Sequence, residues 1–76
     1  MGSSNYKVLF REEPEGGYTV LVPSLDGCIT YGENIETAKS NAKEAIEFYI
    51  ESLKEDNLPI PTDKNRLEMN LEVSNG

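Results

Sequence analysis

Apolar and polar positions alternate with a period of two at the start of the informative chain, where Tyr6, Val8 and Phe10 interleave with Lys7, Leu9 and Arg11. That spacing predicts a strand with one buried face. A second run over residues 18–22 sets Tyr18, Val20 and Val22 against Thr19 and Leu21, and is rich in β-branched and aromatic residues. A short third strand follows over residues 28–31. The period then changes to three and four: Ile35, Ala38, Ala42, Ala45, Ile46, Tyr49, Ile50 and Leu53 form one stripe of a helix running from Ile35 to about Lys54 or Glu55. Alternation returns at Leu67, Met69, Leu71 and Val73 against Arg66, Glu68, Asn70 and Glu72, which predicts a last one-faced strand.

The punctuation fits these elements. Glu12-Glu13-Pro14-Glu15-Gly16-Gly17 holds a proline to set φ and two glycines to accept positive φ, so it reads as a hairpin loop. Pro23 has no N–H for the ladder and ends the second strand, and Ser24-Leu25-Asp26-Gly27 makes a turn with Leu25 expected at its exposed tip. Asn34 is placed to cap the helix, with Glu33 and Glu36 at the positive end of its dipole. Asp56-Asn57 stops it, and Leu58-Pro59-Ile60-Pro61 cannot continue it. Met1 to Ser4 read as a leader added for expression, which leaves one domain over residues 5–74.

The order β-β-β-α-β predicts an α+β fold. A right-handed crossover places the last strand beside the first, giving a four-stranded sheet of order 3-2-1-4 with one helix on one face. The opposite face carries Leu9, Leu21 and either Ile29 or Tyr31, and an uncovered apolar face invites association as a homodimer or higher homo-oligomer. At 76 residues with a single cysteine, Cys28, no internal disulfide is available, so burial against another chain is the remaining source of extra stability. One thiol, no signal peptide and no long apolar run point to a cytoplasmic protein without a membrane span.

Charge narrows the partners. Seven basic against fourteen acidic residues give −7, which repels a phosphate backbone and attracts a basic protein. Nucleic acid is therefore not expected as a direct ligand. The chain has no histidine, so a nucleophile activated by imidazole is excluded within one chain. Cys28 reads as a small core or semi-buried strand residue. Glu12, Glu13, Asp26 and Glu33 are the carboxylates able in principle to gather around Mg²⁺, although the Pro-Gly-Gly loop favours solvated charge at the first two. Glu44, Glu47, Glu51 and Glu55 form an acidic helical stripe, read as a solvated face before a docking face. No cofactor motif, phosphate loop or paired-cysteine zinc pattern is present.

Gly17-Tyr18, the corner Pro23-Ser24-Leu25-Asp26-Gly27-Cys28, Gly32, the helix Thr37 to Ile46 and Leu58-Pro59-Ile60-Pro61 together resemble the N-terminal domain of HicB-type antitoxins. The resemblance covers nearly the whole chain, from about Tyr6 to Val73, and rests on the order and spacing of motifs that are individually weak. It implies a partly degraded ribonuclease-H-like fold and a non-enzymatic role in a type II toxin–antitoxin pair. That role is to bind a small basic HicA-type mRNA-cleaving toxin and cover its catalytic histidine. Thr37 stands where the family more often has Glu. The chain is expected to lack the C-terminal helix-turn-helix or ribbon-helix-helix domain through which many relatives bind operator DNA. The expected contacts are Pro23, Leu25 and Asp26 at the corner, with Tyr31 and Glu33 beside it. The rival readings are a residual metal-dependent ribonuclease and an orphan self-associating module.

Overall fold

The computed structural model describes residues 4–76, and the expected leader residues Met1 to Ser3 lie outside them. Three strands, β1 (Leu9–Glu12), β2 (Tyr18–Leu21) and β3 (Ile29–Gly32), precede one helix, α1 (Ile35–Glu55). They form an antiparallel meander of order β1-β2-β3. Leu9 stands opposite Leu21 and Glu12 opposite Tyr18, while Tyr18 meets Gly32 and Leu21 meets Ile29 on the other side.

β1 starts later than the alternation predicts. The β1–β2 pairing ends at Leu9 and Leu21, and beyond it Pro23 has no N–H to donate to residues 6–8. Those residues bond instead to the returning chain: the Tyr6 hydroxyl donates to the Pro61 carbonyl and the Lys7 amide to the Asp63 carboxylate, both at 2.5 Å.

The expected four-stranded sheet of order 3-2-1-4 does not form; the fold is β-β-β-α. Residues 67–76 adopt no regular structure, and Leu67, Met69, Leu71 and Val73 are 66% to 82% exposed. Alternation assigns side chains to faces, but a strand also needs an edge to bond. Here Leu67 to Asn70 pass beside Leu9 with no backbone ladder to β1.

The helix follows its stripe. The Asn34 side chain accepts the Thr37 amide at 2.8 Å, capping the first turn. At the other end Asn57 takes φ +57°, and the amides of Asn57 and Leu58 return to the carbonyls of Lys54 and Leu53. This is the paired-bond stop that a left-handed residue permits. Ala38 and Ala42 are buried against Val20, where small side chains let helix and sheet approach. Approach is closest at Gly32, since a Cβ there would lie 2.3 Å from the Ala38 amide nitrogen. Further along, Ala45, Ile46 and Tyr49 pack on Val22, Leu25 and Cys28. The helix lies over β3 and β2 and leaves the β1 side of the sheet open.

Candidate partner-binding surface

The corner after β2 is a hydrogen-bonded turn. Amides of Leu25 and Cys28 donate to the carbonyls of Val22 and Leu25, each at 3.0 Å, and Gly27 takes φ +76°. Leu25 is not at an exposed tip: it is 1% exposed and fills the core between Val22 and Cys28. It therefore holds the corner in place and does not itself offer a contact surface. Pro23 is partly exposed and Asp26 fully on the surface. The corner is clasped from behind by the segment after the helix. The Arg66 guanidinium donates to the Pro23 carbonyl at 2.9 Å and to the Ser24 hydroxyl at 3.0 Å, and Ser24 in turn donates to Asp63. The Ser24 hydroxyl and then the Lys7 amide, both donating to Asp63, hold its carboxyl below the usual carboxylate range, with the nearby Arg66 and Lys7 charges acting the same way.

Tyr31 and Glu33 do not join this corner. They lie at the far end of β3, about 10 Å of strand away, beside the β1–β2 loop. The Tyr31 ring lies over Gly17, leaving no room for a side chain there, and its hydroxyl donates to the Gly16 carbonyl at 3.1 Å. Gly17 also takes φ +85°, so two constraints coincide at that glycine. Glu33 is exposed, one residue before the helix cap.

Between the two ends, the sheet face away from the helix carries two rows fixed by register. Leu9, Leu21 and Ile29 form an apolar row, and Arg11, Thr19 and Tyr31 a mixed one. Ile29 is 58% and Tyr31 48% exposed. Across the β3 edge, Ile29 and Phe48 share the rim of a shallow cavity of about 370 Å³ that also touches Gly27, Cys28 and Tyr49. Phe48 is 71% exposed, and Glu44 and Glu51 lie one helical turn to either side of it. Phe48 lies outside the contacts expected from the sequence. Its signal is an aromatic residue lying off the buried helical stripe, among acids.

The acidic groups are dispersed. Glu13 accepts from the Thr19 hydroxyl at 2.6 Å and from Arg11 at 3.0 Å, and these two bonds hold its carboxyl below the usual range. Glu12 and Glu33 lie at the Tyr18 end of the sheet and Asp26 at the Leu21 end. Among the described residues no three of His, Cys, Asp and Glu gather as a metal site would require. Burial raises the pKa of the Cys28 thiol, which keeps it protonated and unreactive. Among the described residues no helix is long and apolar enough to cross a membrane.

An exposed apolar strip from β3 and α1 with acids beside it has a composition that suits the recognition of another protein. The family model described as HicB_like antitoxin of bacterial toxin-antitoxin system matches residues 6–75. The chain is 46% identical to a UPF0150 protein of Synechocystis over 78% of its own length and 75% of that protein's. It is 48% identical to a UPF0150 protein of Thermoplasma acidophilum, covering 76% and 84% of the two chains. It is also similar to Antitoxin HicB of Escherichia coli K12, at 33% identity over 90% of this chain and 51% of that protein. The chain belongs to the HicB-like antitoxin family of bacterial toxin–antitoxin systems.

Proposed function

We propose that residues 5–74 form a single toxin-neutralising domain that binds a small basic RNA-cleaving toxin of HicA type in the cytoplasm and blocks its access to RNA. The domain is non-catalytic, needs no cofactor and makes no direct contact with nucleic acid. The exposed apolar strip beside the corner carries this reading: Ile29 and Phe48 offer the desolvated centre of an interface, and Asp26, Glu44 and Glu51 offer the acidic rim. A net charge of −7 steers a basic partner toward it. Pro23 shapes the approach and Leu25 supports it from within. Tyr31 and Glu33 form the second, more distant edge of the contact. The chain also self-associates, because a domain of this size with exposed apolar side chains gains stability from a second copy.

The test is a mixing experiment with a HicA-type toxin, reading RNA cleavage and affinity together. The intact chain is expected to suppress cleavage, and reversing the charges at Asp26 and Glu33 to weaken binding while the far-ultraviolet spectrum is retained. Unchanged affinity in that double variant removes these residues from the contact. Cleavage that persists with the chain in excess removes the occlusion mechanism.

A further inference from the structure

The helix leaves a groove of about 550 Å³ between itself and the β1 side of the sheet. Its floor is apolar, formed by Val8, Phe10, Ile46 and Ile50. Its rim is basic. Lys39, Lys43 and Lys54 all line it, three of the chain's seven cationic side chains, and among the described residues none of the three is ion-paired. Among the described residues Glu47 is the one acid in the lining. A basic-rimmed apolar groove in an acidic protein calls for an amphipathic acidic occupant.

The chain carries such a segment. Residues 67–73, Leu-Glu-Met-Asn-Leu-Glu-Val, have four apolar side chains at alternate positions and acids at Glu68 and Glu72. All four apolar side chains are exposed. The segment passes its own β1 on the face opposite the groove, beside Leu9, whereas Phe10 lines the groove. The radius of gyration is 14.7 Å, against about 11 Å for a compact chain of this length. The lengths also agree: extended, seven residues span about 23 Å, and the helix rises about 22 Å between Lys39 and Lys54. Among the described residues nothing pairs with the outer edge of β1, so its backbone groups are free to receive an extended segment.

We propose that two copies of this chain exchange these segments reciprocally, residues 67–73 of each lying in the groove of the other with Glu68 and Glu72 toward its lysines. The apolar side chains settle on the Phe10 and Ile46 floor. The Lys7 to Glu68 ion pair, 3.1 Å long and exposed on both sides, yields readily. The inference rests on the proposed self-association and names the surfaces that carry it.

Light scattering and sedimentation of the full chain test it, and the expected mass is twice the 8.5 kDa of one chain. Met69→Asp with Leu71→Asp is expected to give a monomer with an unchanged far-ultraviolet spectrum, because both side chains are exposed in the single copy. Lys39→Glu with Lys43→Glu is expected to raise the dimer dissociation constant at least tenfold, and adding Glu68→Lys with Glu72→Lys to restore it. Mixing an Ile50→Cys chain with a Leu71→Cys chain is expected to give a mixed disulfide. A monomer at all concentrations overturns self-association and this inference together. A dimer that survives the Asp variants, or fails to give the mixed disulfide, overturns this inference and leaves self-association standing.

Discussion

Gly32 and Leu25 show how single residues set this domain's margin. Any side chain at Gly32 drives into the backbone of the first helical turn, so Gly32→Ala forces the helix away from β3. The expected loss is about 3 kcal/mol, read as a lower urea midpoint. Leu25→Ala removes the largest fully buried side chain and is expected to cost about 2 to 5 kcal/mol, a large part of what a small domain holds. Both positions lie in motifs visible in the sequence, but their tasks are not. Burial of Leu25 depends on the turn folding back onto Tyr49 and Ile46, which no local pattern encodes. Cys28 sits in the same cluster, and its buried thiol is expected to react with a disulfide reagent only after denaturant is added.

Among the elements, the helix was the most legible because stripe, cap and stop all agreed: the predicted span from Ile35 to Lys54 or Glu55 is the observed Ile35–Glu55. The three strands were legible to within a few residues, since their ends depend on hydrogen-bond partners that alternation does not specify. The fourth strand had the cleanest alternation and does not form, because a period of two records two faces and not a neighbour. The link from the corner to Asp63 and Arg66 left no trace in the sequence, as its partners are 39 and 42 residues apart. That link makes stability pH-dependent. Asp63 and Glu13 have carboxyl pKa values lowered in the folded chain, so between folded and ordinary values the unfolded chain binds more protons. Their contribution is full above the ordinary carboxylate pKa of about 4 and is lost as pH falls through the folded values. Urea midpoints are expected to drop between pH 5 and pH 2, and less steeply in Asp63→Asn.

For the whole molecule, the distribution of exposed apolar residues matters more than the enclosed core. Ile29 and Phe48 lie at one edge of the sheet and the β1 groove at the other, so the proposed toxin contact and the proposed segment exchange use separate surfaces. Phe48→Asp is expected to leave the fold and the self-association intact while weakening toxin binding by about 2 kcal/mol, roughly thirtyfold, measured by calorimetric titration. The exposed row was legible in the sequence as Leu9 and Leu21 with Ile29 and Tyr31 as alternatives, and the register puts Ile29 in that row. Its continuation to Phe48 required the fold, because only packing sets the azimuth of the helix against β3.

The clasp of Tyr6 and Lys7 on Pro61 and Asp63 also bears on the order of assembly. It joins residues 55 and 56 positions apart through hydrogen bonds at the surface, whereas the meander pairs strands that follow one another in the chain. Loop closure of that length is entropically slow to recover. The hairpins and helix are therefore expected to condense first and the clasp to latch last. In the native state it is also the first to open, and amides around Lys7 and Arg66 exchange with solvent well before those of Val20 and Ala42.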